Sequence, residues 1–441
     1  MVTLLIFLQL AVVLAMIFIG ARVWGIGLGI YGMVGVFILV FVFGLKPGAI
    51  PIDVMLIIVS VITASAALQA AGGLEYMVSV AARLLRKHPS HITFFAPIVT
   101  WLFTYLAGTA HTSYALLPII SEIAHREKVR PERPLSVATV SASLGCTGSP
   151  VSAATAAIVS EELLGDKGIG MREILLVTVP ASIIAILVAS LIQNYVGKRL
   201  EDDPEYQRRL SEGLLSAEEE NASEIKVENP RAKWAVLAFL LGVLLVVLFG
   251  IFPSLRPAFD GVTLSMSVTI EIIMMSIAAL ILLVGKASVA DAAKGNVFAS
   301  GMNAMVAIFG VAWMGSTFFL GHHDAILGSV EGVFVNYPLL FFVPLFIFSI
   351  MLFSQAATVQ TLYPVGLAMG VPPQLLLVLF PAVNGYFFLP NYPTAVAAIG
   401  FDRTGTTGIG RFVINHSFQI AGFTTTFVSI AVGYLLATMV C

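Results

Sequence analysis

Residues Ala107 to Pro118 read AGTAHTSYALLP. They separate two apolar runs, 92 to 107 and 113 to 124, and each run is shorter than the ~20 residues a helix needs to cross the ~30 Å hydrocarbon core. Irregular backbone at membrane depth is tolerated only where protein covers it or where it lines a water-filled cavity. A re-entrant hairpin, two half-length helices entering and leaving on one side, meets both conditions. The same arrangement recurs around Ser354 to Thr358, and TVQTLYP (358 to 364) resembles TSYALLP (112 to 118) at an offset of 246. A second pair, SPVSAA (149 to 154) and YPTAVA (392 to 397), is offset by 243. The chain therefore reads as two related halves.

Composition sets the class around these motifs. Of 441 residues, 58% are hydrophobic and 11% charged, which excludes a soluble protein and leaves room for roughly ten to twelve membrane crossings. A formal net charge of -2 with scattered Lys and Arg gives no basis for binding nucleic acid. The two cysteines, Cys146 and Cys441, lack metal-ligand spacing, so neither a metal site nor a cofactor is expected. Met1 to Gly20 contains no Lys or Arg and reads as a first membrane helix, not a cleaved signal peptide.

Between Gly197 and Lys233 lie seven basic and ten acidic residues, a composition that reads as a solvated linker with no site between Glu218 and Asn229. It divides the chain into a first repeat (1-196), a linker (197-233) and a second repeat (234-441). Nineteen of the 23 Lys and Arg fall on the linker's side of the membrane, which places the linker inside and both termini outside. The halves then have opposite topology. The fold class expected is an all-α polytopic membrane protein, two inverted repeats with re-entrant hairpins and broken helices. Such proteins are secondary transporters with substrate near the midplane.

Four small, polar breaks carry the chemistry: Gly108 to Ser113, Gly145 to Pro150, Ser354 to Thr358 and Leu389 to Thr394. Proline and glycine interrupt the helical ladder and leave the next half-helix with free N-H groups and a partial positive charge. Hydroxyls and amides beside such termini complete the hydrogen bonds a carboxylate demands. The candidate substrate contacts are Thr109, His111, Thr112, Ser113, Thr147, Gly148, Ser149, Ser152, Ser354, Gln355, Thr358, Asn384, Asn391 and Thr394. The plainer alternative is four ordinary kinks in packed helices; their occurrence in two matched pairs argues against it. No Lys or Arg lies in any break, so a bound anion needs helix termini, hydroxyls and amides, or a co-bound cation. That favours exchange, because swapping one dianion for another moves no net charge against ~2.3 kcal/mol per charge per 100 mV.

Other polar residues have plainer readings. His111 could carry a proton, though a hydrogen-bonded place in a packed tip accounts for it; Glu271 lies near the outer end of its run and can snorkel. His322-His323-Asp324 looks like a metal cluster, but adjacent residues point different ways on a helix. An intramembrane hydrolase lacks its motifs (no GxSxG, no HExxH), and a channel would need a continuous polar lining, so neither is expected.

At these motifs the sequence resembles the anaerobic C4-dicarboxylate transporters of bacteria, of the DcuA and DcuB type. The stretches include GGLEYMV (72 to 78), AGTAH (107 to 111), RPERP (130 to 134), SPVSAA (149 to 154), LRPAFDG (255 to 261), SQAAT (354 to 358), LPNYP (389 to 393) and FDRTGTTGIGRFVINHSF (401 to 418). RPERP and the last stretch lie closer to the DcuB type. Asn391 stands where the family usually has threonine, and Ala110 where it usually has glycine. The resemblance implies exchange of fumarate, malate or aspartate for succinate across the bacterial inner membrane, with the lipid bilayer as surroundings; the alternative among carriers is a sodium- or proton-coupled dicarboxylate symporter of the same architecture. Each half places three unbroken helices before the interrupted ones, with lateral segments at 74 to 88 and about 321 to 335. This order suggests an elevator moving against a fixed scaffold that a homodimer would steady.

Overall fold

The computed structural model describes residues 2–23, 26–50, 52–215, 227–352, 354–389, 392–410 and 415–441. The first half contains α1 (Val2–Val23), α2 (Gly27–Phe37), α3 (Ile52–Ala70), α4 (Gly73–Lys87), α5 (Ile92–Ala107), α6 (Leu117–Arg126), α7 (Glu132–Cys146), α8 (Ala153–Ile158) and α9 (Met171–Gln193). A short helix, α10 (Pro204–Ser211), follows. The second half contains α11 (Ala232–Ile251), α12 (Met266–Gly285), α13 (Val289–Lys294), α14 (Asn296–Asn336), α15 (Phe342–Leu352), α16 (Gln355–Ala368), α17 (Pro373–Val378), α18 (Pro393–Phe401) and α19 (Phe418–Val440). Apart from one two-residue β-hairpin at Ala258–Thr263, the regular structure among the described residues is helical.

Seven of the described helices are long and apolar enough to cross a membrane, and four shorter apolar segments join them, including Gly27–Val42 and Pro338–Leu352. The helices fall into two groups that exchange partners between the halves. In one group α2 packs on α14, and its counterpart α12 packs on α3. Gly29 and Gly32 bring α2 against the α14 backbone, where a Cβ on Gly29 would lie 2.0 Å from the Val306 carbonyl oxygen. Small residues allow this approach where lipid supplies no hydrophobic drive. In the other group α5 packs on α7 and α9 on α19, while α15 packs on the 3-10 segment Phe380–Phe387. Each hairpin and broken helix lies in this second group.

Two expectations change. Helix α14 runs through residues 321 to 335 without interruption, so the second lateral segment is the continuation of a transmembrane helix. Forty-one residues span about 60 Å at 1.5 Å each, well beyond a bilayer core. Gly321 alone does not end a helix, and the first proline after it is Pro338; His322 is buried against Gln9 of α1, and the side chains of His323 and Asp324 lie outside the described residues. The linker is also partly folded. Asp203 caps α10 by accepting from the amides of Glu205 (2.9 Å) and Tyr206 (3.1 Å). Further on, Asn229 Nδ2 donates to the carbonyls of Ala71 (3.0 Å) and Gly285 (2.8 Å), fastening the ends of α3 and α12. Residues 216–226 lie outside the described residues.

Candidate functional site

The first break begins where α5 ends at Gly108, whose φ of +69 is open to glycine and strained for other residues. A Cβ there would also lie 2.3 Å from the Val151 carbonyl oxygen, so the tip seats directly on the broken helix α7–α8. The chain then makes a 3-10 turn over Ala110–Ala115 and not the start of a regular helix. Thr112 Oγ1 donates to the Thr109 carbonyl (3.0 Å) and Ser113 Oγ to the Ala110 carbonyl (2.7 Å), which holds the turn together. The His111 side chain lies outside the described residues.

In the second break α7 stops at Cys146 and Thr147 turns extended. Gly148 takes φ +89 and donates its amide to Thr155 Oγ1 at 3.1 Å. Ser149 Oγ donates to the Tyr105 carbonyl at 2.5 Å, a fastening to the neighbouring hairpin helix. Ser152 caps α8 by accepting from the Thr155 amide at 3.2 Å.

Opposite, Ser354 caps α16 by accepting from the Ala357 amide (3.2 Å), and Thr358 Oγ1 donates back to the Ser354 carbonyl (2.8 Å). Gln355, the first residue of α16, reaches across to the first half, where its Nε2 meets the Ser143 carbonyl (2.8 Å) and Thr147 Oγ1 (3.4 Å), and within its own half it meets the Tyr386 hydroxyl (3.2 Å) and Asn384 Oδ1. Asn384 sits at a non-helical point of the second broken helix and donates to Thr147 Oγ1 at 2.8 Å. Thr394 is buried near the start of α18, and Asn391 lies outside the described residues.

All four breaks meet at one cavity of about 330 Å³, at the small end of the ~300–1,000 Å³ typical of small-molecule sites. Hairpin tips supply Thr109, Ala110, Ser354 and Gln355; the broken helices supply Cys146, Ser152, Tyr386, Tyr392 and Pro393. The far wall comes from the other helix group, through Gly20, Leu28, Ser300, Asn303 and Ala307. A second cavity of about 440 Å³ shares Gly108, Thr109, Ala153 and Ser300 with the first and extends past Thr112 to Ser65, Gln69 and Asn296. Neither lining contains a Lys, Arg, His, Asp or Glu among the described residues.

Of the candidates from sequence, Thr109, Ser152, Ser354 and Gln355 line the first cavity and Thr112 the second. Thr147, Gly148, Ser149, Ser113, Thr358, Asn384 and Thr394 are buried behind them, where they shape or brace the breaks. Sequence reasoning missed Tyr386, Tyr392, Ser300 and Asn303. Tyr386 and Tyr392 stack at 4.2 Å between ring centroids across the fourth break, and their proximity to LPNYP was the one signal available.

Along nearly its whole length the chain is similar to known membrane transporters. The sequence pattern of the family described as anaerobic c4-dicarboxylate membrane transporter matches residues 5–441. The anaerobic C4-dicarboxylate transporter DcuB of Escherichia coli O6:H1 is 40% identical over 440 residues, covering 98% of each chain. The C4-dicarboxylate transporter DcuA of Escherichia coli K12 is 42% identical over 434 residues, again 98% of each. Among solved structures, the YdaH transporter of Alcanivorax borkumensis, described as having an unusual topology, superposes with a TM-score of 0.55 at 15% identity, over 87% of this chain and 84% of that one. With a family pattern that spans nearly its whole length and relatives matched end to end, the chain belongs to the anaerobic C4-dicarboxylate membrane transporter family.

Proposed function

We propose that the protein exchanges C4-dicarboxylates across the bacterial inner membrane, taking fumarate, malate or aspartate in and succinate out. The observation that carries this reading is the cavity where four helix breaks converge, rich in hydroxyls, an amide and capped helix starts, with no cationic side chain in its lining among the described residues. Free N-H groups and hydroxyls bind carboxylates without a fixed positive charge. A site without a fixed cation holds a dianion weakly when empty of compensation, and one-for-one exchange spares the membrane field any net charge movement. The candidate contacts are Thr109, Ser152, Ser354 and Gln355, with Tyr386 and Tyr392 as the aromatic wall.

Movement follows from how the cavity is built. Hairpins and broken helices form one face and the α1, α2 and α14 group the other, so a block carrying the four breaks can slide along a fixed wall. The second cavity reaches Gln69 and Asn296, at helix ends that the Lys and Arg count assigns to the cytoplasm, which corresponds to an inward-facing state. Both termini are then periplasmic, and a homodimer through the fixed group would resist tilting. Proteoliposomes loaded with succinate should take up labelled fumarate, and empty ones should not. Equal uptake by empty vesicles would overturn exchange while leaving transport in place. Cysteines on the tips and on α14 should cross-link in two registers several ångströms apart along the membrane normal; a single register in every substrate condition would rule out the sliding block.

A further inference from the structure

We propose that Ser300 and Asn303, on the fixed helix α14, bind a carboxylate group of the dicarboxylate while the site faces the cytoplasm and lose it when the site moves outward. The inference deepens the exchange reading: it rests on that reading for the substrate and on the sliding block for its one-sidedness. Both residues line the dicarboxylate cavity from the wall opposite the four breaks. They are three positions apart and so share one face of the helix. Ser300 lines the second cavity as well, which puts it where the two cavities meet.

Their hydrogen-bonding groups are uncommitted. A hydroxyl within a membrane helix commonly donates to the carbonyl one turn back: Ser60 does so to Leu56 (2.8 Å), Thr63 to Val59 (2.7 Å) and Thr317, on α14 itself, to Trp313 (2.7 Å). Neither the Ser300 hydroxyl nor the Asn303 amide has a hydrogen-bond partner among the described residues, and both residues are half-buried, open to the cavity and not sealed in the packing. A polar side chain at membrane depth is costly unless it is paired or faces a cavity, and its place there marks a substrate path. The amide offers two hydrogens and the hydroxyl one. A carboxylate accepts all of them.

Position makes the contact one-sided. Counted from Asn296, at the end of α14 assigned to the cytoplasm, Ser300 and Asn303 lie about 6 and 10 Å along the axis at ~1.5 Å per residue. Further out the same helix is covered by α2, where Gly32 seats on Gly310 and Gly35 on Met314. Substrate therefore meets α14 at its inner end and leaves it as the breaks slide outward. A contact made in one state and missing from the other draws the loaded block toward that state. An empty block gains nothing from it, so the pair helps to make movement depend on a bound dicarboxylate, as exchange requires.

The test is sided. Right-side-out membrane vesicles carrying the full-length protein exchange labelled succinate, and the half-saturation concentration is read for internal succinate at saturating external succinate, then for the reverse. Asn303→Leu removes the amide while roughly keeping its bulk and should raise the ratio of the internal to the external value about tenfold, with about threefold for Ser300→Ala, as expected for losing a hydrogen bond to a charged group. Damage to the fold would move both values alike. An unchanged ratio in both variants, or equal rises on the two sides, overturns the inference; if Asn303→Leu does not reach the membrane, Ser300→Ala decides alone. Wild-type uptake that needs no internal dicarboxylate sinks the exchange reading instead, and the ratio, then read from net uptake and net efflux, still decides the role of the pair.

Discussion

Gly148→Ala should lower dicarboxylate exchange by on the order of a hundredfold, the loss expected when a binding group is displaced by about 1 Å. Two independent terms act at this position. The backbone holds φ +89, a region that costs an L-residue roughly 1–2 kcal/mol. A Cβ would also stand 2.0 Å from Thr178 Oγ1 and 2.7 Å from its Cβ, so one of the two segments must move. Thr178 is held by its own bond to the Ile174 carbonyl at 2.7 Å within the long helix α9. The break therefore yields first. It carries with it the Gly148 amide that bonds Thr155, and Ser152 beside the cavity. Adding Thr178→Ala removes the closest atom but neither its Cβ nor the backbone strain, so the double variant should recover only part of the activity. Wild-type exchange rates in well-folded Gly148→Ala would mean that the break does not position the site.

The four breaks were legible because they violate what a membrane helix wants: glycine, proline and clustered hydroxyls stand out against leucine and valine. Their internal roles were not. Ser113 and Ser149 belong to the same composition class as Thr109, Thr112 and Ser152, yet the first two are buried with their hydroxyls on nearby carbonyls while the last three line the cavities. Only the local turn, 3-10 in one case and extended in the other, decides between these uses. Ser300 and Asn303 carried no local signal, since they sit in an unbroken helix and matter because the other group packs across from them. The long α14 continues through 321 to 335, where a lateral segment was expected, because polar residues alone do not interrupt the hydrogen-bond ladder. The linker shows the opposite error. Its charge balance hid Asp203-Pro204-Glu205, which is a helix start by the ordinary rules: a capping side chain, proline at the first position and an acid in the first turn.

That capping aspartate leads to the second large effect, a loss of about 3–5 kcal/mol on Arg130→Ala, the usual result of removing one partner from a buried ion pair. Arg130 lies between α6 and α7 with only 12% of its side chain exposed, and its guanidinium bridges Glu132 (2.5 Å) and Asp203, themselves 12% and 10% exposed. Burial works to lower the guanidinium pKa, but the two carboxylates outweigh it and hold the value above the ordinary one, so the charge is retained. Each carboxylate is engaged further. Asp203 caps α10, and Glu132 accepts from Ser417 Oγ at 2.7 Å while its amide donates to Thr406 Oγ1 at 3.2 Å. One side chain thus joins the start of α7, the linker helix and the segment leading into α19, all on the group that carries the breaks. Removing it strands two carboxylates in a place with little water. Arg130→Lys keeps a charge but cannot span both partners, and should lose an intermediate amount. Reversible denaturation in mixed micelles measures the difference, and a double-mutant cycle with Glu132→Gln isolates the pair. A change within about 0.5 kcal/mol for Arg130→Ala, the range of an ordinary surface substitution, would mean that α10 rests on the membrane group without bracing it.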